Sequence, residues 1–124
     1  MPEAANAQHY EVPAEFFAAV LGQHRKYSSG LWTDEIRDLD SAAARMMQTT
    51  CERAQLADGM RVLDLGCGWG SLSLWLARRF PHCRVVGVSN SASQRADILA
   101  RAAAEGLTNV EILSLAAVPR SLAI

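Results

Sequence analysis

Val62-Leu63-Asp64-Leu65-Gly66-Cys67-Gly68-Trp69-Gly70-Ser71 runs from four residues of strand character straight into a glycine-rich turn. The turn opens a helix: Leu72, Trp75, Leu76 and Arg79 stand at i, i+3, i+4 and i+7, which predicts one apolar face over Gly70 to Phe80, with Pro81 as the stop. Glycine lacks Cβ and tolerates positive φ, so three glycines in five residues let the backbone approach a ligand closely. The first turn of the helix adds unpaired N–H groups aimed at the same place. Strand-to-helix turns at the carboxyl ends of a parallel sheet are where doubly wound folds bind their ligands.

Working outward, Arg84-Val85-Val86-Gly87-Val88 reads as a second strand of β-branched residues. Ser91 to Glu105 reads as an Ala-rich helix closed by Gly106, and Val110-Glu111-Ile112-Leu113 as a third strand. Short apolar runs alternating with helices predict βαβ units and a parallel sheet, the α/β class. Toward the N-terminus, a first helix is expected over Pro13 to Leu21, with Phe16, Phe17, Val20 and Leu21 as its apolar stripe and Gly22 as its stop. Residues 23–32, with Tyr27 and Trp32, read as a loop. A longer helix is expected from Asp40 or Ser41 as N-cap to about Ala57, with Gly59 past its end. The expected organisation is a flexible arm (1–9), helices and a covering loop (10–59), and a βαβαβ unit (60–124).

The 124 residues carry 12 Lys+Arg against 13 Asp+Glu, a net charge of -1, with no basic run. That balance argues against nucleic-acid binding. The N-terminus has no basic and apolar leader, and the longest apolar stretches fall far short of the roughly 20 residues that span a bilayer, so no transmembrane segment is expected and a cytoplasmic location follows by default. Cys51, Cys67 and Cys83 form no CxxC pair, which fits buried reduced thiols better than a disulfide or zinc framework. His9, His24 and His82 lack ligand-like spacing, and no metal site is expected.

A dinucleotide fingerprint, G-x-G-x-x-G, is broken by Ser71, and Ser89-Asn90 stands where an acid would end the second strand. The turn also has a plain structural reading, that of tightening a βα connection. The spacing D-x-G-x-G-x-G over Asp64 to Gly70 resembles motif I of class I S-adenosylmethionine-dependent methyltransferases, whose fold is Rossmann-like. Further blocks narrow the resemblance: His9-Tyr10-Glu11-Val12-Pro13 with Phe16-Phe17, Tyr27-Ser28-Ser29-Gly30, the glycine segment, and Gly87-Val88-Ser89-Asn90-Ser91 with Gln94. Four blocks in this order, over residues 9 to about 113, resemble the cyclopropane-fatty-acid-synthase family. Cys51-Glu52-Arg53-Ala54-Gln55-Leu56 and Ser89-Asn90-Ser91 are most similar to its coclaurine N-methyltransferase-like branch.

The resemblance implies S-adenosylmethionine as cofactor and methyl transfer to a small-molecule amine or a lipid alkene. It implies that Gly66, Gly68 and Gly70 line the methionine part of the cofactor, that Asp64 favours its ammonium group, and that Tyr27 and Ser28 fold over it. Ser89 and Gln94 would stand at the ribose, and Asn90 is a further cofactor-binding candidate. Gln94 has a second use, because Ser91-Ala92-Ser93-Gln94 is also a capping box.

The pattern departs after the third strand, where an acid for the adenine amino group is expected and Ala116 stands. Residues 114–124 do not continue the family pattern, and the residues that handle substrate in the family lie beyond the resemblance; the catalytic residues are therefore unassigned. Strands 1 to 3 alone are half of a class I sheet, a truncated βαβαβ half sheet in which strand 1 is an edge. Val62, Leu63 and Leu65 suit burial on both faces, so self-association through that edge is expected. Two other readings stand beside the methyltransferase: a truncated or frameshifted non-catalytic product, and a dinucleotide-binding module.

Overall fold

A computed structural model describes residues 13–118; the expected arm, the block His9 to Val12 and the end of the tail lie outside the described residues. The element order is α1 (Ala14–Leu21), α2 (Leu39–Arg53), β1 (Arg61–Leu65), α3 (Ser71–Arg79), β2 (Arg84–Val88), α4 (Ala92–Ala104), β3 (Val110–Leu113) and a 3-10 turn (Leu115–Ala117).

The strands form one parallel sheet in the order β1-β2-β3. Strands connected in sequence through helices take neighbouring places, as right-handed βαβ crossovers do. Two rows across the sheet show how the core is built. Val62, Val85 and Val110 are in register and join a cluster with Leu76 of α3 and Cys51 of α2. Asp64, Gly87 and Ile112 form the next row on the same face. There Ile112 packs with Leu74 of α3 and with Ile98 and Ala102 of α4. A Cβ on Gly87 would stand 2.9 Å from Ser73 Oγ and 2.7 Å from Ile112 Cδ1. Glycine is required there by close packing and not by backbone conformation.

The opposite face of β1 departs from expectation. Leu63 and Leu65 are 43% and 62% exposed, because both helices lie on the face of Val62 and Asp64, and among the described residues β1 is paired on one side only. The edge is therefore as expected, and the two-sided burial is not.

The helix boundaries carry three corrections with physical reasons. Pro13 has ψ 139 and is the N-cap of α1, not its first residue, and of the expected stripe only Phe17 is buried, while Phe16 and Val20 are exposed. The N-cap of α2 is Asp38, whose carboxylate accepts from the Ser41 N–H at 2.8 Å and the Ser41 hydroxyl at 3.0 Å. Asp40 is engaged elsewhere, accepting the Gln23 N–H at 2.9 Å at the end of α1. The same helix stops at Arg53, four residues before the expected Ala57. Gln55 turns to φ 55, its N–H bonds Glu52 O at 3.1 Å and the Leu56 N–H bonds Cys51 O at 3.0 Å, a Schellman ending formed without glycine.

In α3 the buried face is Ser73, Leu74, Leu76 and Ala77, with Leu72 and Trp75 half-buried and Arg79 exposed. The face is wider and rotated from the expected one because two strands pack against this helix. Gly70, at φ 79, is its N-cap, so the helix begins at Ser71.

Candidate functional site

The carboxyl ends of β1 and β2 open onto a cavity of about 640 Å³, a size suited to a cofactor or small molecule. Its floor is the glycine turn, fixed at both ends: the Cys67 N–H donates to Val88 O at 2.9 Å and the Gly70 N–H to Cys67 O at 2.9 Å. Gly66 and Gly68 have φ of 71 and 57, and a Cβ on either would point into open space. Both line the cavity. Gly70 does not: a Cβ there would stand 2.8 Å from Ile98 Cγ1, so its want of a side chain serves packing against α4.

Asp64 closes the base of the turn. Its Oδ2 accepts the Ser73 hydroxyl at 2.7 Å across the strand-to-helix junction. Burial pushes the Asp64 pKa up, and hydrogen bonds from the Ser73 side chain and backbone oppose that shift. Cys67 beside it is pushed up to about 12, by burial first and by the Asp64 charge second, so it is held as a thiol with little nucleophilic character.

The second wall follows β2. The Ser89 hydroxyl donates to Gln94 Oε1 at 2.8 Å, the Ser91 N–H donates to Ser89 Oγ at 3.1 Å, and the Gln94 N–H donates to Ser91 Oγ at 3.2 Å. Ser91 thus caps α4 as expected, with Ser89 interposed between its backbone and the Gln94 side chain. Ser89 and Gln94 are buried, Asn90 is exposed, and all three line the cavity.

The roof is the loop after α1. Tyr27 and Ser28 line the cavity. Tyr27 is 60% exposed and packs edge-on against Phe17, with ring centroids 5.4 Å apart; Phe17 in turn lies 5.1 Å from the buried Trp69 of the glycine turn. An aromatic stack therefore joins roof to floor. A charged network behind it does the same: Arg25 of the loop reaches Asp97 Oδ2 at 3.4 Å, Arg101 reaches the same oxygen at 3.0 Å, and Arg101 also donates to the Trp69 carbonyl.

Eight of the nine expected residues thus meet at one cavity, and Gly70 stands behind its wall. Sequence reasoning missed several others: Lys26, Met47, Thr50 and Leu115 also line it. Lys26 adjoins the Tyr-Ser pair and was legible as a neighbour; Met47 and Thr50 on α2 carry no local signal and arrive only through tertiary packing. The 3-10 turn brings Leu115 to the cavity and includes Ala116, the place where an acid was expected. Among the lining residues there is no His and no Glu, and the one thiol is held protonated, so the chemistry offered is binding and orientation. Among the described residues no group of His, Cys, Asp and Glu is placed to hold a metal ion, and no helix is long and apolar enough to cross a membrane.

A family model described as mycolic acid cyclopropane synthetase matches residues 2–117. The chain is 41% identical over 111 residues to pavine N-methyltransferase of Thalictrum flavum subsp. glaucum, covering 90% of this chain and 31% of that protein. It is 39% identical over 100 residues to cyclopropane-fatty-acyl-phospholipid synthase of Escherichia coli K12, covering 81% of this chain and 25% of that one. The structure superposes with a TM-score of 0.85 on coclaurine N-methyltransferase bound to N-methylheliamine and SAH, at 41% identity, covering 89% of this chain and 32% of the other. The chain thus spans about a third of the length of these N-methyltransferases, and its α/β fold is that of class I methyltransferases.

Proposed function

The chain belongs to the mycolic acid cyclopropane synthetase family, and from that membership we propose that it carries the cofactor-binding part of an S-adenosylmethionine-dependent methyltransferase. One observation carries the reading: Gly66 and Gly68, both at positive φ, turn their Cα atoms toward open cavity space, where a side chain would occupy the room a ligand needs. The residues fit the group. An adenosyl sulfonium with an amino-acid end offers an ammonium to Asp64, ribose hydroxyls to Ser89, Asn90 and Gln94, and a cation to the aromatic face of Tyr27. A cation over an aromatic ring is stabilised by about 0.5–2 kcal/mol.

S-adenosylmethionine, when bound, supplies a methyl group on a cationic sulfur that an amine nitrogen or an alkene attacks in line. What this chain contributes is alignment. The glycine turn sets one end of the ligand, the Ser89–Gln94 pair sets the other, and the Tyr27 roof excludes water over the sulfur. The acceptor on this reading is an amine or a lipid alkene, in keeping with relatives named for N-methyl transfer and for cyclopropane fatty-acyl phospholipid synthesis.

Separate calorimetric titrations with S-adenosylmethionine and with NAD test the reading. Saturable binding of the first, with a Kd on the order of micromolar, and none of the second is expected. Binding of NAD, or of neither, contradicts it.

A further inference from the structure

Among the residues lining the cavity, Lys26 is the one cation and Asp64 the one anion. The Lys26 ammonium donates to the Ser28 hydroxyl oxygen. A hydroxyl whose lone pair is taken in this way has its own proton left to give, so Ser28 becomes a donor toward a further acceptor. Lys26 and Ser28 together present N–H and O–H donors from one short stretch of the roof, and a carboxylate, with two oxygens, accepts both. Lys26 is half-buried and forms no ion pair among the described residues. Burial lowers its pKa from the ordinary value, the sign of a cation in a partly dry place that gains by meeting an anion.

We propose that Lys26, with Ser28, binds the α-carboxylate of the cofactor's amino-acid end, so that Lys26 and Asp64 together recognise a zwitterion. The inference rests on the cofactor reading above and extends it to a residue outside the glycine turn.

The test compares two ligands that differ in the amino-acid end. S-adenosylhomocysteine has the carboxylate and ammonium; 5′-methylthioadenosine keeps the adenosine and sulfur and lacks both. Calorimetric titration of the 124-residue chain with each is made for the parent, Lys26→Met and Lys26→Arg. Lys26→Met is expected to weaken S-adenosylhomocysteine roughly tenfold or more, to leave 5′-methylthioadenosine within about twofold, and Lys26→Arg to restore most of the loss. Thermal unfolding of all three without ligand checks that the fold is unchanged. Unaltered affinity of Lys26→Met for S-adenosylhomocysteine overturns the proposal, as does equal loss of both ligands. A parent chain that binds neither ligand overturns the cofactor reading and the Lys26 assignment together, whereas a parent that binds both with Lys26→Met unchanged overturns Lys26 alone.

Discussion

Asp64 at the end of β1 and Ser73 in the first turn of α3 are joined by a 2.7 Å hydrogen bond that spans the glycine turn at its base. Asp64 is half-buried, and its folded pKa is raised above the unfolded value, by burial first. The sign of the stability effect follows: ionised Asp64 is a cost in the folded state, absent below the unfolded pKa and complete above the folded one, so this group lowers stability as pH rises through that window. Asp64→Asn is expected to flatten that dependence and to raise stability at pH 7, while weakening binding of S-adenosylmethionine. Thermal unfolding at acidic and neutral pH, with a titration beside it, measures both. An Asn variant less stable than the parent at pH 7 contradicts the burial argument.

Gly68 and Gly70 share positive φ and differ in what surrounds them. Gly70→Ala drives a methyl group against Ile98 and is expected to destabilise the fold by about 2–3 kcal/mol. Gly68→Ala meets nothing, so its stability cost is expected near 1 kcal/mol from backbone strain alone, with cofactor affinity reduced roughly tenfold by the methyl group in the cavity. Chemical denaturation and titration of the two variants separate the roles; identical profiles would contradict them.

The β1 edge makes a third prediction. Among the described residues its backbone is paired only to β2, and Leu63 and Leu65 are exposed on the face away from the helices. Concentration-dependent association of the chain is expected, and Leu65→Lys is expected to reduce it, as charged residues do on natural sheet edges. Sedimentation velocity reads the outcome. A monomer at every concentration up to about 100 µM contradicts the expectation.

Much of the fold was legible because its signals are local. Three strands of β-branched and aliphatic residues, each followed by turn residues, and the Ser91 cap of α4 lie where the pattern places them. The errors fall where a long-range partner decides. Asp40 is as good a helix cap as Asp38 by composition, and loses that role because the end of α1 takes its carboxylate. Leu63 and Leu65 carry the apolar signature of a central strand, and they are exposed because both helices pack on the opposite face, that of Val62 and Asp64.

At the site the division is the same. Asp64, Gly66 and Gly68 could be read from spacing, because a strand-turn-helix junction repeats its chemistry wherever it occurs. Gly70 belongs to the same motif, yet its neighbour is Ile98, twenty-eight residues on, which no spacing reveals. Ser73 as the partner of Asp64, and Met47 and Thr50 as residues of the cavity wall, became visible only with the side chains in place.

The central claim is that the glycine turn, the Ser89–Gln94 pair and the Tyr27 roof hold one adenosyl ligand between them. Amide chemical-shift mapping of the isotope-labelled chain, titrated with S-adenosylhomocysteine, tests it most directly. The account predicts saturable shifts gathered at the backbone of residues 64–69, 89–94 and 26–28. Absence of shifts, or shifts gathered instead along the β1 edge at residues 61–63, would contradict it.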